Sequence, residues 1–310
     1  VPEKVLETKN LSKRYGRQLA VKDLNMTIYK GDIYGFIGEN GAGKSTVLRM
    51  LTGLTKPSSG EVSFFGSTKH KDRVENQKRM SALVDAPSFY PNMSAKQNLE
   101  YYRLQRGILE KELVMESLEK VGLATHSKKK FKHFSLGMKQ RLALAYTIME
   151  RPDLIVLDEP INGLDPAGII QIRELILELN QKHHVTFLIT SHLLAELAQV
   201  ATAYGFLQHG VLLEEITKKE LDKKLLTKIK IFVEDITAAT TTLELICDAS
   251  LFEVRNHYEI VVQNPHISIE EISRLFFEKR IYVQKIYEEI ETLETYFNQL
   301  TDAAKGRDVL

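Results

Sequence analysis

Three short stretches carry residue types that could do chemistry. GENGAGKST, Gly38 to Thr46, fits the spacing G-x-x-x-x-G-K-[ST], and the apolar run IYGFIG leads into it. Gly38, Gly41 and Gly43 let backbone N–H groups come close to phosphates, and Asn40 and Thr46 complete the loop. Lys44 supplies a point charge for the β- and γ-phosphates, and the Ser45 hydroxyl can ligate Mg²⁺. This is the chemistry of a nucleotide site. LIVLDEP, residues 154–160, brings two acids to the C-terminal end of an apolar strand, where α/β sheets bind ligands. Asp158 can hold Mg²⁺ through water, and Glu159 can act as general base on an attacking water; a pair of surface acids is the plain alternative. FSLGMKQR, residues 134–141, sets the N-cap Ser135 and the bare Gly137 before a helical run. An anion-binding helix start and a merely capped helix both fit that third stretch.

Placing these residues requires strands that end in loops followed by helices. Residues 5–37 alternate apolar and polar in a β-rich opening, and a helix is predicted from about Lys44 to Leu54. KPSSG closes that helix before EVSFFG. Residues of about 94–150 turn helical, within a helical subdomain expected over about 86–150: SAKQNLEYYRLQRG, EKELVMESLEKVGL and MKQRLALAYTIME all show the period. LIVLDEP, a helix near 166–182 and VTFLIT then alternate strand, helix, strand, which argues for a parallel sheet with crossover helices. From about residue 221 the order becomes strand–helix–strand–strand–helix–strand, with Asn256-His257 as the central hairpin turn and a last helix at ETLETYFNQLT. The expected organisation is therefore α/β over 1–220, followed by a small α+β accessory domain of ferredoxin-like order over 221–310.

Composition excludes more than it assigns. The 310 residues carry a net charge of +1 and are 43% hydrophobic, which gives no argument for nucleic acid or membrane lipid as partner. No apolar run approaches the ~20 residues that span a bilayer, and VPEKVLETKN lacks the apolar core of a signal peptide. Direct membrane insertion is not expected. The single cysteine, Cys247, excludes an internal disulfide, fits a reducing compartment and is expected as a small buried hydrophobe. KKKFKH, residues 128–133, is expected as a solvated loop.

The order Tyr15, GENGAGKST, FSLGMKQR, LIVLDEP, NGLDP and His192 resembles the ATP-binding subunit of an ABC transporter, over residues 5 to about 215. The resemblance implies a P-loop NTPase fold of ABC type with a β-rich N-terminal subdomain and a helical subdomain. It implies ATP and Mg²⁺ as ligands, with Tyr15 stacked on the base and His192 at the γ-phosphate. It also implies two such domains pairing head to tail, as a homodimer or with a paralogue. Ser135 and Gly137 would then meet a nucleotide held by the other chain, and Asp165 in NGLDP would lie at the seam. The family's signature is usually LSGGQ; this chain keeps the serine and second glycine and departs at Leu136 and Met138. Family members usually place glutamine where Asp85 falls, so Asp85 is a candidate metal ligand, or faces solvent with the amide's role lost.

Those departures, the tail and its ending LETYFNQLT are similar to the bacitracin-export and lantibiotic-immunity branch. The resemblance implies a membrane-spanning permease partner and a cytoplasmic, peripheral place on the inner face of the membrane. Phe89, Tyr90, Pro91 and Met93 would receive the permease's cytoplasmic helix, unless they are core. Three rival functions stay open: a soluble ATPase remodelling nucleic acid or ribosomes, an exporter subunit for an unrelated lipid or drug, and a tail that senses ligand. The single P-loop, the lack of a long coiled-coil insertion and the near-neutral charge weigh against the first.

Overall fold

The strand that leads into the glycine loop becomes an inner strand of a parallel sheet, because IYGFIG offers six residues that can all be buried. The computed structural model describes residues 2–68, 72–84, 88–225, 227–263 and 267–307. The chain divides into two compact units, Val1–Lys218 and Lys219–Leu310.

The first unit opens with β1 (Lys4–Tyr15), β2 (Gln18–Tyr29), β3 (Ile33–Gly38), α1 (Lys44–Leu51), β4 (Ser59–Phe64), α2 (Arg73–Lys78) and β5 (Met80–Leu83). The helices α3 (Ala95–Gln105), α4 (Glu112–Lys120) and α5 (Leu136–Ile148) follow. Then come β6 (Leu154–Asp158), α6 (Pro166–His183), β7 (Thr186–Thr190), α7 (Leu194–Ala198), β8 (Ala203–Gln208) and β9 (Val211–Thr217). α8 (Lys218–Lys224) lies at the division. Six strands form one sheet in the order β5-β6-β7-β3-β8-β9, parallel except for the β8–β9 pair. Every residue of β3 and β7 is buried, the pattern of strands covered on both faces. A second, antiparallel sheet has the order β2-β1-β4. Leu6, Leu24 and Met26 from that sheet share one apolar core with Phe36, Val47, Leu48, Val156 and Leu188. Removing such side chains from water is the main stabilising term.

One predicted boundary moves. α1 ends at Leu51, short of Leu54, because Thr52 turns its hydroxyl back onto Leu48 O at 2.9 Å and Gly53 takes φ +77°. The helical pattern expected from about residue 94 begins its first helix at Ala95, where Ser94 and Gln97 form a reciprocal capping box. Ahead of it, Phe89 is buried among Tyr102, Phe131 and Tyr146, with ring centroids 5.1–6.5 Å apart. Tyr90 stays exposed against Tyr101, and Pro91 is exposed. The two readings of this segment thus divide residue by residue, with Phe89 core and Tyr90 and Pro91 surface.

The second unit contains β10 (Thr227–Val233), α9 (Ile236–Leu243), β11 (Phe252–Val254), β12 (Glu259–Gln263), α10 (Ile269–Glu278), β13 (Val283–Ile290) and α11 (Leu293–Arg307). Its sheet order, β11-β12-β10-β13, is antiparallel at each neighbouring pair, which is ferredoxin-like. Ile229, Ile231, Ile260, Ile272 and Phe276 build its core. The hairpin is wider than a two-residue turn. Arg255 N–H donates to Glu259 O at 3.0 Å, and the Asn256 side chain accepts from Tyr258 N–H at 3.0 Å. An Asx turn competes successfully with the tight turn here. Cys247 is half-buried and not fully so, and its thiol donates to Leu243 O at 3.3 Å. Among the described residues, no helix is long and apolar enough to cross a membrane.

Candidate functional site

The strands carrying the two main motifs are not neighbours. β7 lies between β6 and β3, and its last residue, Thr190, is in register with Asp158 on one side and Phe36 on the other. All three strands therefore end at the same edge of the sheet, and the loop after β3 and the acids after β6 meet above Thr190.

A cavity of about 640 Å³ opens there. Tyr15, Asn40, Gly41, Gly43, Lys44, Ser45, Thr46, Asp158 and Glu159 all line it, joined by His209 and by Gln18, Leu19 and Ala20 of β2. Gly38 lies just below, the last residue of β3. Gly43 has φ +108°, and a Cβ there would stand 2.7 Å from Ala20 O, so only glycine lets the loop run this close to β2. Gly43 is also the N-cap of α1, with no side-chain cap, and the first turn of α1 holds no acid. The N–H groups of the helix start are left to a ligand, and the positive end of its dipole is uncompensated. Lys44 is buried and donates to Gly38 O at 2.6 Å and Glu39 O at 3.3 Å.

At the opposite wall, Ser45 Oγ donates to Asp158 Oδ2 at 2.9 Å, and Thr190 Oγ1 donates to Asp158 Oδ1 at 2.6 Å. Thr190 Oγ1 also accepts the Glu159 N–H at 3.0 Å. One fully buried hydroxyl thus orients the first acid and ties down the backbone of the second. Glu159 has φ +50°, a left-handed conformation that costs a non-glycine residue about 1–3 kcal/mol. The Glu159 carboxylate accepts from His192 twice, from the backbone N–H at 3.2 Å and at 2.7 Å from Nδ1. An ionised carboxylate has no proton to give, so the contact assigns a proton to Nδ1. His192 does not itself line the cavity and reaches it through Glu159.

The other candidates lie elsewhere. Ser135 is the exposed N-cap of α5, its hydroxyl accepting the Met138 N–H at 3.3 Å. Asp165 is the exposed N-cap of α6, accepting the Gly168 N–H at 3.1 Å ahead of Pro166. Neither these two nor Gly137 lines the cavity. Asp85 falls outside the described residues. Sequence reasoning missed Thr190, His209 and residues 18–20. The signal for Thr190 was the equal length of LIVLD and TFLIT, which in a parallel pair sets threonine beside aspartate. His209 and residues 18–20 belong to no motif and reach the cavity only through folding.

A phosphate loop on an inner parallel strand, with two acids on the strand one removed and an antiparallel sheet alongside, defines a P-loop nucleotide hydrolase. The family described as ABC transporter matches residues 21–162. The bacitracin transport ATP-binding protein BcrA of Bacillus licheniformis is 40% identical over 296 residues, covering 96% of this chain and 97% of that protein. The lantibiotic transport ATP-binding protein SrtF of Streptococcus pyogenes is 39% identical over 218 residues, covering 70% and 92%. A solved ATP-binding subunit of an ABC transporter superposes with TM-score 0.63 at 26% identity, covering 71% of this chain and 92% of that one. The chain belongs to the ATP-binding proteins of ABC transporters and is an ATPase.

Proposed function

We propose that this ATPase works as one of two head-to-tail cassettes on a membrane-spanning permease, and that the assembly exports bacitracin- or lantibiotic-like peptides or similar amphiphiles. The likeness to the bacitracin transport protein over 96% of the chain carries the substrate reading, because a match of that span includes much of the second unit. The lantibiotic relative, at 70% coverage, supports the wider class of peptide antibiotic. The second unit is an accessory domain in this reading. The protein sits peripherally on the inner face of the membrane, held by the permease.

The residues fit a hard cation beside the phosphates. Ser45 Oγ and Asp158 Oδ2, 2.9 Å apart at the cavity wall, are the oxygen donors such an ion takes. Mg²⁺ held there would neutralise phosphate charge. Lys44 exchanges the Gly38 and Glu39 carbonyls for the β- and γ-phosphates, and the Gly41–Thr46 backbone receives the remaining oxygens. Tyr15, half-exposed at the rim, offers its ring to the base. Glu159 takes the proton of the attacking water, and His192 keeps that carboxylate aimed. Ser135, Gly137 and Asp165 serve the nucleotide of the partner cassette; the exposure of Ser135 and Asp165, and the place of all three away from the chain's own cavity, support that role.

The test is resistance. Expressed with its permease in a sensitive bacterium, the chain raises the inhibitory concentration of bacitracin or a lantibiotic, and Glu159→Gln does not. Unchanged sensitivity alongside normal ATPase turnover would discard the peptide substrate and leave the ATPase standing.

A further inference from the structure

The departure of the third motif from the family's signature has a structural partner. Leu136-Gly137 begins α5, and Gly163-Leu164 lies in the turn between β6 and α6. Each leucine covers the other pair's glycine. A Cβ on Gly163 would stand 2.9 Å from Leu136 Cδ2, and a Cβ on Gly137 would stand 3.5 Å from Leu164 Cδ2. Gly163 has φ +74°, so a side chain there would also strain the backbone. One turn along α5, Gln140 Nε2 donates to Pro160 O at 2.7 Å. Three contacts therefore join the start of α5 to the loop 160–164, which runs from Glu159 to the α6 cap Asp165.

The geometry points to a clamp in which Leu136 and Leu164 act as positioning residues, locking Ser135 to the same chain's Glu159–Asp165 loop. It rests on the proposal that Ser135 meets a nucleotide held by a second chain. A nucleotide engaging Ser135 then presses on the loop that carries this chain's own general base, and the two sites of a dimer are linked through packed side chains. A glycine at position 136 has nothing to lay over Gly163. Leucine leaves the anion-facing Ser135 and Gly137 in place and adds the link. It stays 57% exposed, an open position for an apolar residue at a helix start.

The experiment uses the full-length chain with Leu136→Gly, Leu164→Ala, the double variant, Leu136→Met and the control Ser135→Arg. Steady-state ATPase, ATP affinity of the monomer without Mg²⁺, and thermal midpoint are measured for each. Each single change lowers kcat about fivefold while monomer ATP affinity stays within about twofold. The double variant falls no further than the worse single, because both open one contact. Leu136→Met restores kcat to within about twofold, since its methylenes can still cover Gly163. Losses that multiply, or an unchanged kcat in both single variants, overturn the clamp. So does a fall in kcat that tracks a fall in thermal midpoint and monomer affinity, which marks a merely structural role. Full turnover in Ser135→Arg would instead overturn the shared-site reading on which the clamp rests.

Discussion

Helices α1 and α5 both begin at glycine-containing turns suited to an anion, and they are built in opposite ways. α1 starts at an uncapped glycine, has no acid in its first turn and opens into a walled cleft of about 640 Å³. α5 starts at Ser135, which already accepts one of its own helix N–H groups and stands exposed outside that cavity. The first helix start keeps its donors free and is surrounded by everything a phosphate needs. The second is part-satisfied by its own serine and lacks walls. The contrast teaches that helix-start chemistry alone does not make a site. Enclosure and opposing side chains do, and α5 gains these in the proposed dimer.

The contrast can be broken most severely at the acid beside α1. Glu159→Gln is expected to lower turnover by about 10²–10⁴-fold and to trap an ATP-bound dimer in gel filtration. A near-normal rate, or a monomer at saturating Mg²⁺-ATP, would erase the distinction between the two helix starts. Ser135→Arg should stop turnover through bulk and charge while monomer ATP binding, followed by calorimetry, stays within about twofold. If binding and turnover fall together, α5 belongs to its own chain's site after all. Thr190→Val should cost about 1–3 kcal/mol of stability by stranding the Glu159 N–H, and should weaken Mg²⁺ dependence along with kcat. Thr190→Ser should recover both in melting and kinetic assays.

The smallest effect lies outside both helix starts, at Asp32 before β3. Burial holds its carboxyl above the usual carboxylate range despite the Tyr29 N–H it accepts at 2.8 Å. A raised folded value contributes stability at low pH that is lost as pH rises through that value. Asp32→Asn should flatten this part of the stability–pH curve, read by denaturant titration, with ATPase activity unchanged. Altered turnover would mean that the base of β3 communicates with the loop at its top.

Legibility followed the range of the interaction. LIVLD, TFLIT and IYGFIG could be recognised as buried strands because burial on both faces demands unbroken apolar runs. The tail's βαββαβ order was legible from alternating periods, whereas the Asx turn at Asn256 was decided by one side chain competing for the backbone. The predicted end of α1 ran three residues long, since periodicity continues to Leu54 while Thr52 and Gly53 stop the helix. Of FYPNM, composition could not tell which aromatic turns inward; Phe89 is chosen by the rings of Tyr102, Phe131 and Tyr146.

By itself, the sequence determined which residues could touch phosphate, because glycine spacing, lysine and serine act within one loop and one helical turn. Likewise, it set the two acids at a strand's end and the caps of α5 and α6, all local consequences of residue type. Only the tertiary structure decided that β7 would stand between β3 and β6, so that Thr190 joins the two acids. It alone brought His192 to Glu159, Gln18–Ala20 and His209 to the cavity, and Leu136 over Gly163. Those pairings link residues up to many strands apart, and no local pattern encodes them. They follow from the order in which buried strands align, which is settled by packing the whole sheet.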